Sequence, residues 1–548
     1  MATSTLRQGY DLPMQPTEDQ TRYQALKAHD ARFDGHFFVG VSSTHIYCRP
    51  VCRVKLPKFE NCRFFDLAAL AERAGYRPCL RCRPELAPSS LPWTTLDASR
   101  TLALQAARWL DEPLAWQGNN ARETDAPDSK PTISQLAAHL GVSDRHVRRL
   151  FEAQLGVSPL QYLQTRRLLT AKQLLTDTDM PIAQVALCSG FGSVRRFSAA
   201  FLAHYRLNPS QLRRSATDAD SGKVKSNALA STIATSFCTV KLSYRPPYDS
   251  RWLLEFFQKR QINAVEFVAI EANKWSAGWT LHLESGGKQH TGWIAVEFLQ
   301  HQPTVLLQVS DSLRDVLPQV IRQVRALLDL DADPLAINTV LGDSFDTTAS
   351  LGGLRVPGCL NGFDLAVRAI LGQQVTVAAG RTFTQRVVDN FGRPIETPFP
   401  ALTRLFPTPE ALAQASGEDL GRLGIVKQRQ AAITALARAV ADKQLHLQPN
   451  ADIEATMTAL RALPGVGDWT AQYIAMRALR WPDAFVAGDV ALHKAMGLQN
   501  LEPLLSPTKT AAAAVAASQV WRPWRSYAVM RAWTSLLQKS NATDQKIL

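Results

Sequence analysis

Leu463-Pro-Gly-Val-Gly-Asp-Trp-Thr-Ala is the stretch on which the reading of this chain turns. Ala- and Leu-rich text with 3.6-residue apolar spacing runs from about Leu351 to the end, so helices are predicted on both sides of this stretch. Gly465 and Gly467 permit a tight turn between them, and the backbone N–H groups of Leu463, Gly465 and Gly467 can then approach a phosphate closely, as at a helix N-terminus. Such a turn reads backbone rather than bases. A helical hairpin without a ligand is the plain alternative. Asp489 follows in Phe485-Val-Ala-Gly-Asp-Val-Ala-Leu-His-Lys, placed to cap the next helix. Trp469 and Tyr473 stand four apart and share one helix face, a spacing more common in cores than in ligand cages.

Upstream, Ala264-Val-Glu-Phe-Val-Ala-Ile and Trp279-Thr-Leu-His-Leu read as strands with a turn at Gly286-Gly287. Residues 215–231 hold almost no large apolar side chain and read as an interdomain linker. The polar text between Pro113 and Pro131 reads as a loop. Ile133-Ser-Gln-Leu-Ala-Ala-His-Leu-Gly-Val-Ser-Asp-Arg-His-Val-Arg-Arg-Leu-Phe describes two helices broken at Gly141, with Ser143 placed to cap the second. Residues 182–205 repeat the pattern around Gly190-Phe-Gly. One such hairpin is weak evidence. Two in tandem, with Arg145, His146, Arg148 and Arg149 on one second helix and Arg195 and Arg196 on the other, point to paired helix-turn-helix units reading duplex DNA in the major groove. Over 131–215 there are eleven Lys and Arg against four Asp and Glu. A helical spacer with a solvated arginine face is the alternative.

Near the N-terminus, Cys48-Arg-Pro-Val-Cys and Cys79-Leu-Arg-Cys supply two close thiol pairs. Each pair can occupy adjacent corners of a tetrahedron, so Cys48, Cys52, Cys79 and Cys82 together suit one Zn²⁺. Two disulfides, or four unrelated core thiols, are the alternatives; a reducing compartment disfavours the first. Spacing leaves open whether such a zinc is purely structural. Cys62 lies between the pairs and reads as packing. Arg49, Arg53, Arg77, Arg81 and Arg83 crowd the site, where they can offset thiolate charge or hold phosphates.

The composition sets the frame. With 46% apolar and 20% charged residues the chain is globular and not mostly disordered. No apolar run approaches the roughly 18 residues of a membrane span and no signal-peptide pattern opens the chain, so a cytoplasmic location is expected, with no membrane partner. The 61 Lys and Arg against 48 Asp and Glu favour a polyanion.

Three resemblances sharpen these readings. His45-Ile-Tyr-Cys-Arg-Pro-Val-Cys with Gly75-Tyr-Arg-Pro-Cys-Leu-Arg-Cys resembles the N-terminal domain of the Ada alkylation-response family over roughly residues 18–90. The resemblance implies that Cys48 takes a methyl group from a methylated DNA phosphotriester, stoichiometrically and without turnover. A zinc-held thiolate stays nucleophilic at neutral pH, and four thiolates leave about −2 on the cluster. Methylation of one removes a negative charge, so DNA affinity should rise. The tandem helix pairs look like an AraC-type DNA-binding domain. The resemblance to Ada ends near residue 215, and no Pro-Cys-His-Arg acceptor motif of an O6-methylguanine methyltransferase occurs.

The hairpin is similar to that of the helix-hairpin-helix glycosylases, in which an aspartate at the place of Asp489 stabilises a cationic sugar. Oxocarbenium charge at C1′ calls for a fixed carboxylate in a dry pocket. Arg245-Pro-Pro-Tyr-Asp, Leu354-Arg-Val-Pro-Gly-Cys-Leu, Arg368-Ala-Ile-Leu-Gly-Gln-Gln-Val and Trp521-Arg-Pro-Trp-Arg-Ser-Tyr-Ala look like the AlkA type, the 3-methyladenine DNA glycosylase II, from about 240 to 535. That implies a catalytic Asp489, a base pocket lined by Trp469 and Tyr473, and Gln373-Gln374 on the loop that wedges into the duplex. A flipped cationic purine would stack on the rings. Two departures stand out: Gln374 replaces the wedge leucine, and Val490 replaces the aromatic after the aspartate, which makes the pocket less aromatic. Trp469 occupies the place of the lysine of lyase-type relatives, so a monofunctional hydrolase is expected. No cysteine follows Cys359, which excludes a four-cysteine iron–sulfur cluster in this part of the chain.

The sequence therefore predicts a multidomain, mainly α chain with α+β parts. A small four-cysteine zinc domain spans 1–92, an AraC-type double helix-turn-helix 93–215 and a linker 216–235. An AlkA-like mixed α+β domain spans 236–350 and an all-α helix-hairpin-helix domain 351–548. Expected partners are alkylated and promoter double-stranded DNA and RNA polymerase, with the protein a monomer. The reading is a methyl-acceptor sensor and activator joined to a glycosylase. Its rival is a transcription factor whose glycosylase half only binds damage.

Overall fold

The computed structural model describes residues 17–84 apart from 53, 67, 80, 81 and 83; five helical residues between 103 and 110; residues 133–218 apart from 178 and 179; and residues 237–544 apart from 273, 286, 287, 301, 346–351, 450 and 499–505. The Pro113–Pro131 loop, most of the linker, the Gly286-Gly287 turn, and Arg53, Arg81 and Arg83 lie outside the described residues.

Helix Glu18–Ala28 starts at Thr17, whose side chain and that of Gln20 form a reciprocal capping box. It precedes a four-stranded sheet in the order β3-β1-β2-β4, from β1 (Phe38–Val41), β2 (Ile46–Cys48), β3 (Cys62–Phe65) and β4 (Arg77–Pro78). β2 pairs in parallel with β4, Ile46 opposite Arg77 and Tyr47 opposite Pro78. That one parallel pair brings the residue ending β2, Cys48, and the residue following β4, Cys79, to the same end of the sheet. Sequence spacing alone does not contain this contact.

The tandem helix pairs form as predicted. Helices Ile133–Leu140 and Asp144–Leu155 turn at Gly141, whose φ is +66°. Helix Pro159–Asp177 leads to the second pair, Ile182–Cys188 and Val194–Tyr205, which turns at Gly190 with φ +82°. The first pair has its own core around Leu136, Val147, Phe151 and Tyr162. The second does not stand apart: Val185, Phe197 and Phe201 share one continuous core with the sheet and helices that follow.

That sheet is antiparallel, five-stranded and ordered β5-β9-β8-β7-β6. It comprises β5 (Phe237–Ser243), β6 (Glu266–Ile270), β7 (Trp275–Ser285), β8 (Lys288–Phe298) and β9 (Thr304–Ser310). The strand texts read from sequence fall on β6 and on the middle of β7, which is longer than the quoted run. Amphipathic helices Ser250–Gln258 and Leu317–Leu327 bury Leu253, Leu254, Val320, Ile321 and Val324. Among the described residues from Gly362 onward the regular elements are helices except for one two-stranded ribbon, Arg393–Pro394 with Arg404–Leu405. No helix among the described residues is long and apolar enough to cross a membrane.

Candidate functional site

The hairpin forms where the glycines place it. Helix Ile453–Ala462 ends at Leu463, Gly465 takes φ +73°, and helix Asp468–Arg477 begins at Gly467. Buried Val466 anchors the turn from below. The leading N–H groups of helix Asp468–Arg477 receive no side-chain cap, and a β-carbon on Gly467 would meet nothing within 4 Å. The helix start is thus open for an anion, as the helix dipole favours.

On the next turns of that helix, Trp469 and Tyr473 stack face to face, centroids 5.2 Å apart and 10° from parallel. Asp489 caps helix Val490–Ala495, the Leu492 N–H donating to Oδ1 at 2.7 Å. It is also more than a cap. Trp469 Nε1–H donates to Oδ2 and Trp533 Nε1–H to Oδ1, both at 2.9 Å. Three donors from three different helices therefore orient one half-buried carboxylate beside two stacked rings.

Trp533 was not among the residues singled out from sequence. It lies in helix Arg525–Asp544, 44 residues from its partner, so no local spacing announces it. Its ring centroid is 6.5 Å from that of Tyr473. Trp533 thus adds a third ring from a distant helix, while Val490, which stands where the resemblance places an aromatic, is solvent-exposed. Trp533→Phe should keep the ring and lose the donor. Base release should fall by about tenfold to a hundredfold, with duplex affinity unchanged, in a single-turnover excision assay.

Sequence reasoning also passed over Arg477, whose guanidinium donates to the Tyr473 hydroxyl and to the Pro357 and Gly358 carbonyls. Burial alone would push the Tyr473 phenol up, but Arg477 and Arg260 more than offset it and hold it below its ordinary value. These groups line a cleft of about 1250 Å³ that also includes Phe256 and Gln374. Gln373 does not point freely: its amide donates to the Gly465 carbonyl at 2.9 Å and to Thr470 Oγ1 at 3.0 Å, tying its loop to the hairpin. Gln374 is exposed, with φ +53°.

In the zinc-type site one ligand atom from each of Cys48, Cys52, Cys79 and Cys82 lies within 4.8 Å of the others. Cys48, Cys52 and Cys79 are buried and Cys82 is half-buried. So many thiols this close cannot all deprotonate without a cation between them. Hydrogen bonding to Cys52 and Cys82, together with burial, pushes Cys48 up, while Cys52 is pulled down by its bonds to Cys48 and Cys82. The set fits a tetrahedral soft-donor site for Zn²⁺. Cys62 stays outside it, its Sγ facing the Lys58 carbonyl at 3.3 Å. Arg49 bridges the cluster to Asp34: its N–H approaches Cys82 Sγ at 3.4 Å, and its guanidinium donates to the Cys82 carbonyl and the Asp34 carboxylate.

In the helix-turn-helix pair, Ser143 accepts from the His146 N–H and Ser193 from the Arg196 N–H, both at 3.3 Å. Arg145, Arg148, Arg149, Arg195 and Arg196 are exposed, opposite the buried face of Val147, Phe151, Phe197 and Phe201.

Residues 21–85 match the metal binding domain of Ada, 136–215 a helix-turn-helix domain, 239–361 the AlkA N-terminal domain, and 367–517 the HhH-GPD superfamily base excision DNA repair protein. Over 517 residues the chain is 36% identical to the probable bifunctional transcriptional activator/DNA repair enzyme AlkA of Mycobacterium tuberculosis, covering 94% of this chain and 96% of that protein. It is 32% identical to DNA-3-methyladenine glycosylase 2 of Escherichia coli over 53% of this chain and 95% of that one. With the bifunctional transcriptional activator/DNA repair enzyme AdaA of Bacillus subtilis it shares 30% identity over 35% of this chain and 82% of that one.

Proposed function

Because the chain belongs to the family of the bifunctional transcriptional activator/DNA repair enzymes of the AlkA type, we propose that it is a DNA glycosylase releasing alkylated bases such as 3-methyladenine, joined to a zinc-thiolate methyl acceptor and transcriptional activator of the alkylation response. The observation that carries the glycosylase reading is the Asp489 carboxylate held by two indole N–H groups and a helix N-terminus beside stacked aromatic rings.

In this reading the hairpin backbone from Leu463 through Gly465 to Gly467 holds a phosphate, and the loop of Gln373 and Gln374 wedges into the duplex, Gln373 tying it to the hairpin and the exposed Gln374 facing the gap. The flipped, positively charged base stacks against Trp469 and Tyr473. The C1′–N bond breaks with its electron pair going to the base, which neutralises the cationic ring. Asp489 stabilises the sugar cation and takes the proton of the attacking water, whose oxygen bonds C1′. Trp469 stands where lyase-type relatives place the Schiff-base lysine, so the enzyme is a monofunctional hydrolase.

At the other centre, Cys48, Cys52, Cys79 and Cys82 hold one zinc, which when bound keeps their sulfurs as thiolates. Cys48 Sγ attacks the methyl carbon of a phosphotriester; the S–C bond forms as the C–O bond breaks, leaving a phosphodiester anion. No iron–sulfur cluster takes part. The methylated front half then binds promoter DNA through Arg145, Arg148, Arg149, Arg195 and Arg196 and recruits RNA polymerase, the protein acting as a cytoplasmic monomer.

The test is the spectrum of bases released from alkylated duplex DNA by the purified protein. Release of 3-methyladenine without strand cleavage is expected; no release at all would leave only the transcription factor. For the regulatory half, Arg148→Ala should weaken promoter binding and lower the slope of log affinity against log salt by about one if it contacts a phosphate, or cost about 1–3 kcal/mol at one base pair if it reads a base edge. Fluorescence anisotropy over a salt series separates the two.

A further inference from the structure

The described residues place a buried charge cluster between the zinc domain and the glycosylase. Asp30 is 3% exposed, and its carboxylate accepts from Arg32 of its own loop and, at 3.0 Å, from the indole N–H of Trp524, 494 residues away. Arg32 reaches further: its guanidinium donates to the Tyr527 hydroxyl and lies 3.5 Å from the Asp329 carboxylate. Asp329 in turn accepts from Tyr527 at 2.6 Å and is paired with Arg480. An apolar contact completes the seam, with Phe33 and His36 packed on Trp481 at centroid distances of 5.5 and 4.8 Å.

Buried charges of this kind are tolerable only when paired, and pairing fixes one geometry more than it adds raw stability. Here the partners are divided between two domains, so separation would leave Asp30 and Arg32 without the Trp524 and Tyr527 contacts and Asp329 without Arg32. Burial alone would push the Asp30 carboxyl up, yet Arg32 and Trp524 hold it below the usual carboxylate range, as expected for a well-made charged site.

We propose that residues 30–37 are a docking loop that seats the zinc domain on the glycosylase surface formed by Asp329, Arg480, Trp481, Trp524 and Tyr527, so that the two halves work as one docked unit rather than as modules on a tether. The docking depends on neither proposed chemistry. It does lie between the two centres. Asp34 of the loop grips Arg49, the neighbour of Cys48, and helix Arg525–Asp544 carries both Tyr527 and Trp533, the donor to Asp489.

Hydrogen–deuterium exchange on the full-length zinc-loaded protein tests the seam from both sides. Arg32→Ala should raise amide exchange across residues 524–531 by at least about tenfold, and Trp481→Ala should do the same for residues 30–37. Unchanged zinc content and unchanged exchange in β1 to β3 show that the zinc domain is folded in each variant. Exchange across the seam that stays at the wild-type rate in both variants, with those controls met, overturns the proposal.

Discussion

Asp489→Asn should reduce release of alkylated bases by about a thousandfold while leaving duplex binding intact, because one fixed charge aimed at the reacting centre is commonly worth that much. The substitution keeps the shape and removes the charge. It also leaves one acceptor oxygen where two now serve the Leu492 N–H, the Trp469 indole and the Trp533 indole. The amide N–H group must then face another donor, so a stability loss of about 1–3 kcal/mol is expected as well. Measuring Tm and duplex affinity beside single-turnover excision separates the two effects. A variant that binds, folds and still excises at the wild-type rate would remove Asp489 from the chemistry.

Methyl transfer offers the second large effect. After exposure to methylated phosphotriester DNA, the wild type should carry one methyl group on the peptide containing Cys48, and Cys48→Ser should carry none. Peptide mass spectrometry reads this directly, and a methyl group on Cys82 or Cys62 would reassign the acceptor. The comparison with Cys82 matters because Cys82 is the half-buried member of the cluster and Cys48 is buried. Chelation should also unfold the domain. Its strands are two to four residues long and its core small, whereas a structural zinc contributes on the order of 10 kcal/mol at neutral pH. Loss of the domain's near-ultraviolet circular dichroism on chelation, restored by zinc, is the expected result.

Much of this was legible because local chemistry writes itself into short spacings. Two close thiol pairs, two glycine-broken helix pairs with arginines on their second helices, and a Gly-x-Gly turn between helices each need only a few neighbouring residues. In each case the structure places the turn or cap at the residues that predicted it: Ser143, Gly141, Gly190 and Gly465. Asp489 shows the limit. As an N-cap it is readable from the text, but whether it does anything else depends on what stands around it.

What stands around it comes from afar. Trp533, which completes the grip on Asp489, comes from 44 residues along the chain, and Arg477, one turn from Tyr473 in the same helix, holds the Pro357 and Gly358 carbonyls 120 and 119 residues away. The same holds for the parallel pairing of β2 with β4 that joins the thiol pairs, and for the seam that sets Asp30 and Arg32 against Trp524 and Tyr527. The residue pattern thus specifies which chemistries the chain carries, since caps, turns and ligand pairs are encoded within a helical turn or two. How those chemistries are aimed, and against which partner each domain rests, emerges from packing. Buried charges and ring faces must find complements wherever the folded backbone presents them, at sequence distances that no periodicity records.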